Sequence, residues 1–277
     1  MTEFKIPLAG VIGYPIAHSK SPKLHGHWLK RYGIPGHYIP MEVSSGNLAH
    51  VLNNLPKMGF VGVNVTIPHK EAVLEIADVI SDRASVIGAA NTLTFQNDGK
   101  LYADNTDGFG FVANLKQEMP DWTPSNGPAM VLGAGGAARA IIAALLQEGA
   151  PEVIITNRTR ARAEALRSHF GGKVSVLDWT QANTRIADIS TLVNTTALGM
   201  VGKEELRLPL DNLARTTLVT DIVYTPLETK LLADAKTIGC PTVDGVGMLL
   251  HQATPGFERW FGYAPQVDEA LRNAVLA

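Results

Sequence analysis

The stretch "AMVLGAGGAARAIIAALL", residues 129–146, does most to limit how this chain can fold. A short apolar run turns through Gly133-Ala134-Gly135-Gly136-Ala137-Ala138 into a long series of Ala, Ile and Leu. That is G-x-G-x-x-A in the context it requires, between a strand and a helix. Gly133 permits the tight turn, Gly135 lets the backbone approach a pyrophosphate, and Ala138 keeps the helix close to the strand. The free N–H groups at the helix start then face the phosphates. Glycines and Arg139 interrupt the run, so it does not read as a membrane span. The next strand ends "ITNRTRAR". A site for NAD places an acid there to bind the ribose hydroxyls, whereas here Asn157 is followed by Arg158, Arg160 and Arg162. Guanidinium groups suit a phosphate dianion. Positive charge at a helix N-terminus opposes the macrodipole, a cost that a bound 2′-phosphate would offset. NADP is the expected cofactor.

Strand-like and helix-like patterns alternate along nearly all 277 residues, enough chain for two modest domains or one large one. "LAGVIG" reads as a strand. "SPKLHGHWLKRYG" reads as a helix with Ser21 as cap, Pro22 at the first helical position, Gly33 as stop, and Leu24, Trp28 and Tyr32 on one stripe. "HYIPMEV" is a strand and "GNLAHVLNNLPKMG" a helix. "VGVNVTI" is a strand of period two, with Asn64 and Thr66 on the face opposite Val61, Val63, Val65 and Ile67. "HKEAVLEIADVI" reads as a helix, "NTLTFQNDGKLYAD" as a hairpin turning at Asn97-Asp98-Gly99, and "DGFGFVANLKQEM" as a helix. The segment 120–128, "PDWTPSNGP", reads as a linker. After the glycine motif come strand "EVIITNR", helix "TRARAEALRSHFG", strands "STLVNTT" and "TLVTDIVY", helix "TKLLADAKTIG", strand "PTVD", and a last helical stretch from about Gly247. Such alternation implies parallel sheets covered by helices.

Composition narrows the class further. A net charge of −2 gives no global pull toward nucleic acid or an anionic membrane. One cysteine, Cys240, excludes an intrachain disulfide and a cysteine-based zinc site. The N-terminus has an acidic flank and no cleavage pattern, so it reads as a first strand rather than a signal peptide. A cytoplasmic protein with no metal is expected: His18, His25 and His27 lack ligand spacing, and His25 reads as structural.

In parallel α/β sheets, ligands bind beyond the carboxyl ends of the strands. In the first half those ends deliver Ser19 and Ser21 in "GYPIAHSKSP", Asn64, Thr66 and Lys70 in "NVTIPHK", Asn91 in "GAANT", and Asp104, Asn105 and Asp107 in "DNTDG". Ser21 and Asp107 are equally readable as helix N-caps, and Asn64 as a partner for nearby backbone. Together they make a pocket of neutral hydrogen-bonding groups with Lys70 as its cation and Asp107 as the carboxylate for it, suited to a small polyhydroxylated acid. Hydride transfer between a secondary alcohol and NADP needs a group that moves a proton at the oxygen. Lys70, expected in a first helical turn, is the candidate, with Asp107 to orient it.

"GYPIAHSKSPKLHG", "NVTIPHK", "GAANT", "DNTDGFG", "GAGGAA", "NRTRAR", "NTTALGM", "DIVYTPLET" and "DGVGMLLHQA" occur in this order over roughly residues 10–255. Together they resemble the shikimate dehydrogenase family. The resemblance implies two α/β domains: a mainly parallel-sheet substrate domain, residues 1–107 plus 246–277, and a Rossmann-like NADP-binding domain, residues 108–245. It implies Lys70 and Asp107 as the catalytic pair and Ser19 and Ser21 as holders of the substrate carboxylate. Asn64, Thr66, Asn91, Tyr224 and Gln252 would complete the substrate site. Gly133, Ala134, Gly135, Gly136, Ala137, Asn157, Arg158, Thr159 and Arg162 would bind NADP. Val223 and Gly245 would line the nicotinamide end, with Asp82 near the cofactor. The implied activity is reduction of 3-dehydroshikimate to shikimate by a monomer or homodimer.

Two positions depart from the family pattern: Gly26 stands where Asn is usual, and Ala197 where Pro is usual. Two other readings stay in competition. One is a quinate/shikimate dehydrogenase, whose NAD-preferring relatives tend to carry an acid after the second strand, unlike "TNRTRAR". The other is an idle dinucleotide-binding relative, which would need neither Lys70 nor Asp107.

Overall fold

The computed structural model describes residues 6–277. Contacts divide the chain into two compact units: one runs to Gly110 and takes up the chain again at Leu249–Ala277, the other is Phe111–Met248.

The first unit holds β1 (Leu8–Gly13), α1 (Ser21–Arg31), β2 (His37–Glu42), α2 (Leu48–Asn54), β3 (Phe60–Val65), β4 (Val79–Ile80), α3 (Asp82–Ile87), β5 (Thr92–Phe95) and β6 (Leu101–Asp104). The helix α4 (Asp107–Glu118) then leads onward. The sheet order is β2-β1-β3-β5-β6-β4. β1 pairs in parallel with β2 and β3, and β5 runs antiparallel to β3 and β6. The chain leaves β1 to one side for β2 and returns on the other for β3. The ends of β1 and β3 therefore flank a switch point, where a parallel sheet opens a crevice. Ile12, Val63, Val65, Leu93 and Ala103 form the sheet's contribution to a buried core.

The second unit holds β7 (Ala129–Leu132), α5 (Gly136–Gln147), β8 (Val153–Thr156), α6 (Arg160–Phe170), β9 (Val174–Leu177), β10 (Thr191–Asn194), β11 (Leu218–Asp221), α7 (Lys230–Ile238) and β12 (Thr242–Val243). Its sheet, ordered β12-β11-β10-β7-β8-β9, is parallel throughout. The chain starts in the middle at β7, moves outward through β8 to β9, and returns beside β7 with β10, the doubly wound dinucleotide-binding order. All four residues of β7, β8, β10 and β11 are buried, as expected for strands covered on both faces. The helix α8 (Val246–Phe261) begins in this unit and continues into the first, which α9 (Glu269–Leu276) closes.

Several expected elements take a different form. Residues 69–80 are not one helix but turns, a single 3-10 segment at Ala72–Glu75, and the strand β4. The Lys70 carbonyl accepts from the Ala90 N–H at 2.7 Å instead of from a residue one helical turn on. Lys70 thus lies in a tight turn, not at a helix start. Pro56, which lacks an N–H, ends α2 and leaves a 3-10 turn at Leu55–Met58. Ser21 opens α1 but caps nothing; Lys20 occupies the cap position. The segment 120–128 is no loose linker: Pro124 is buried, and Trp122 packs on Phe111 and donates from its indole to Thr191 at 3.1 Å. Among the described residues no helix is long and apolar enough to cross a membrane.

Candidate active site and dinucleotide site

In the first unit, Lys70 Nζ lies 2.5 Å from Asp107 Oδ2. The lysine side chain is 15% exposed and the aspartate 7%, so water screens the pair weakly. Asp107 opens α4, yet its carboxylate does not cap the helix. Its other oxygen accepts from Asn91 Nδ2 at 2.8 Å, and the Asn105 side-chain oxygen accepts from its N–H.

Asn91 is the hub. Its amide nitrogen also donates to Gln252 Oε1 at 3.2 Å, and its oxygen accepts from the Thr106 N–H and the Thr92 hydroxyl. Both amide hydrogens are thus engaged with protein, one of them on the candidate catalytic carboxylate. Asn64, on β3, donates to the Asn91 carbonyl and to Thr92 Oγ1. Gln252 arrives from α8 and donates to Leu249 O. This web joins Asn64, Lys70, Asn91, Asp107 and Gln252.

Ser19 and Ser21 meet at the end of the β1 loop, where the Ser21 N–H reaches Ser19 Oγ at 3.3 Å. Thr66 adjoins the same strand end: a Cβ placed on Gly13 would come within 2.6 Å of its methyl group. Gly13 is therefore required for β1 and the β3 exit to close together. Asp82 sits apart, exposed in the first turn of α3, and joins no other predicted residue among the described residues.

Asp104 is not a pocket group, contrary to the expectation for "DNTDG". It is wholly buried and bound by Arg83, Arg259 and Ser81. Burial pushes its carboxyl up, but Arg83, Ser81 and Arg259 overcome that and hold it well below the usual carboxylate range. Asn105 likewise turns to the Ala89 carbonyl. His25 is structural, as expected: it is fully buried, stacked on Tyr38, and burial alone lowers its pKa to about 3.

In the second unit, the glycine turn has the geometry its sequence requires. Gly133 has φ +115, and a Cβ there would lie 2.6 Å from Thr195 Oγ1. Gly135 occupies the cap of α5 with no side-chain cap and open space where a Cβ would be. The first N–H groups of α5, from Gly136 and Ala137, are left for an anion; Ala134 precedes them, half-buried.

The Asn157 side chain donates to the Thr159 carbonyl, shaping the turn before α6. Arg158, Thr159 and Arg162 are exposed beside it. Arg160 is committed elsewhere, paired with Glu164 and Asp178, while Arg158 and Arg162 enter no ion pair among the described residues. An uncapped helix start, a glycine cradle and two uncommitted guanidinium groups suit a phosphorylated dinucleotide.

Val223 and Gly245 come together, since a Cβ on Gly245 would lie 2.7 Å from the Val223 carbonyl. Tyr224 follows, half-buried, its phenol pKa pushed up by burial.

Sequence reasoning missed Asp221. It ends β11, wholly buried, and accepts from Asn194 Nδ2 (2.9 Å), the Val223 N–H (2.9 Å) and the Thr229 hydroxyl (2.8 Å). Burial outweighs those bonds and raises its pKa to about 6. Its signal was in plain view, an acid ending an otherwise apolar strand in "VTDIVY".

Comparison with known proteins places the chain in a family. Residues 11–93 match the model of the shikimate dehydrogenase substrate binding domain, and residues 115–228 the shikimate / quinate 5-dehydrogenase model. The chain is 65% identical to a shikimate dehydrogenase (NADP(+)) of Cereibacter sphaeroides, over 100% of both chains. The shikimate 5-dehydrogenase of Thermus thermophilus, solved with NADP(H) and shikimate, superposes with a TM-score of 0.87 at 35% identity, covering 98% of each chain. The quinate dehydrogenase of Corynebacterium glutamicum, solved with NAD, superposes with a TM-score of 0.90 at 30% identity, covering 98% of this chain and 99% of that one. The fold, the two motif-bearing units and these likenesses converge: the chain belongs to the shikimate dehydrogenase family.

Proposed function

We propose that this protein catalyses the reversible, NADP-dependent reduction of 3-dehydroshikimate to shikimate, with Lys70 and Asp107 as its proton-handling pair. The observation that carries the reading is the buried contact between Lys70 Nζ and Asp107 Oδ2, held from behind by Asn91. We assign substrate binding to the first unit and NADP to the second.

When bound, the cofactor would supply a hydride in its reduced form, NADPH, and accept one in its oxidised form, NADP. In the reducing direction Lys70 gives a proton to the oxygen as the carbonyl carbon becomes tetrahedral, and in oxidation it takes that proton back. Asp107 fixes Nζ; Asn91 in turn fixes the carboxylate. Ser19 and Ser21, at the end of β1, hold the substrate carboxylate. Asn64, Thr66 and Gln252 bind its hydroxyls. Gly133 to Ala137 receive the pyrophosphate, and Asn157, Arg158, Thr159 and Arg162 the adenosine 2′-phosphate, with Val223 and Gly245 at the nicotinamide. The enzyme belongs in the cytoplasm, as a monomer or homodimer.

The test is reduction of NADP and NAD measured with shikimate and quinate in turn. Turnover is expected with shikimate and NADP. Preference for quinate with NAD would favour the alternative dehydrogenase, and no turnover with any pair would leave a binding protein. For the mechanism, Lys70→Ala is expected to lower kcat by about 10³-fold with shikimate affinity largely kept. Near-normal turnover would remove Lys70 from the chemistry.

A further inference from the structure

Tyr38 was not among the candidate residues, yet the polar web of the first unit begins at its hydroxyl. It stands on β2, an edge strand of its sheet, with its side chain buried. Its oxygen lies 2.7 Å from Asn64 Oδ1.

The direction of each bond in the web can be deduced. The Asn91 carbonyl can only accept, so the Asn64 amide nitrogen must face it and the amide oxygen must face Tyr38. An amide oxygen only accepts, so Tyr38 must donate. The Asn64 nitrogen also donates to Thr92 Oγ1, and the Thr92 hydroxyl passes its own hydrogen to Asn91 Oδ1 at 2.9 Å. Asn91 then donates to Asp107, which receives Lys70 on its other oxygen. Every bond from Tyr38 to the carboxylate points the same way, the arrangement in which each polarises the next.

The ring is held as firmly as the hydroxyl. It stacks on His25 with centroids 3.9 Å apart and planes within 4°. Both His25 ring nitrogens are buried without hydrogen-bond partners, which makes the imidazole an apolar platform.

We infer that Tyr38 is a positioning residue for the shikimate site: its hydroxyl locks the Asn64 amide so that one lone pair of Oδ1 remains for a substrate hydroxyl. It touches no reacting atom. The inference builds on the assignment of Asn64 and the Lys70–Asp107 pair to the substrate site.

Tyr38→Phe keeps the stacked ring and removes only the donor. Steady-state kinetics with shikimate and NADP, and melting curves, should be compared with the unsubstituted enzyme. The KM for shikimate is expected to rise about tenfold, the size of one lost hydrogen bond, with the KM for NADP unchanged and kcat within about threefold. Thr92→Val, which cuts the chain at its middle, should raise the same KM and shift the pH–rate profile, while Thr92→Ser should restore both. An unchanged shikimate KM in Tyr38→Phe would overturn the inference. So would equal losses for shikimate and NADP accompanied by a fall in Tm, or failure of Thr92→Ser to rescue. If the unsubstituted enzyme itself does not turn over shikimate, the functional reading fails and the inference with it, a result distinct from an active enzyme indifferent to Tyr38→Phe.

Discussion

Asp104 and Asp107 leave the same short segment and meet different partners. Asp104 is enclosed by two guanidinium groups and a serine hydroxyl, a fully satisfied anion that ties β6 to α3 and α8. Asp107 meets one ammonium and one amide, and its lysine keeps some exposure to solvent. Residue type could not separate them; the direction each side chain takes as the strand ends and the helix begins does. The basic cluster after β8 divides in the same way. Arg158 and Arg162 stay uncommitted while Arg160 is used up by Glu164 and Asp178. Arg158→Asp should therefore raise the KM for NADP by at least about tenfold, one strong charge-assisted bond, and leave that for NAD nearly unchanged. Equal effects on the two cofactors, measured in parallel titrations, would remove Arg158 from the 2′-phosphate site.

At the scale of elements, alternating patterns carried most of the fold. The glycine turn, most strands of the second unit and the Asn97-Asp98-Gly99 hairpin follow directly from local chemistry, since each needs only its own residues and their immediate neighbours. Residues 69–80 do not. Their apolar spacing suits a helix, but the Lys70 carbonyl is claimed by Ala90 and the His69 ring bonds Val43 O, contacts made by distant segments. Neither the sequence neighbours of Lys70 nor helical periodicity contain that information. Lys70 was legible as a candidate and its setting was not. α3 and β9 were not read at all, and the last helical stretch divides into α8 and α9.

Gly26, an oddity in the sequence, has a local explanation in cost but none in need. It lies exposed inside α1, and a Cβ there would meet nothing within 4 Å. Gly26→Ala should stabilise the protein by about 1 kcal/mol. That corresponds to a Tm rise of about 2 °C with kinetics unchanged, readable by differential scanning calorimetry. A lower Tm would show that the glycine is required by its surroundings.

For the whole molecule, two buried groups set opposing responses to acid. His25, in the first unit, has a folded pKa depressed to about 3 from 6.5. Its contribution to stability is complete above pH 6.5 and is lost as pH falls toward 3, because the unfolded chain takes up a proton the folded one refuses. Asp221, in the second unit, has a folded pKa raised to about 6 from 3.8. Its contribution is complete below pH 3.8 and is lost as pH rises through 6. Between pH 6.5 and 4 the first unit should lose about 3 kcal/mol from His25 while the second gains up to about 3 kcal/mol from Asp221. Calorimetry over that range is expected to show two melting transitions drawing apart, the first unit melting earlier. His25→Phe should weaken the separation; a single transition moving as one would refute the opposition.

The interrupted first unit also has a consequence in time. Its strands are all made by residue 104, yet its Gln252, Trp260 and Arg259 belong to α8, after the whole of the second unit. Trp260 caps the web's neighbourhood by donating to the Leu93 carbonyl, and Arg259 is one of the two cations on Asp104. On a ribosome, the second unit is contiguous and can close once Met248 has emerged, whereas the first must wait with an exposed sheet and a half-paired aspartate until α8 follows. The polar web around Asn91 is thus completed only after the second unit, and any chain released before α8 carries a finished dinucleotide fold beside an unfinished pocket.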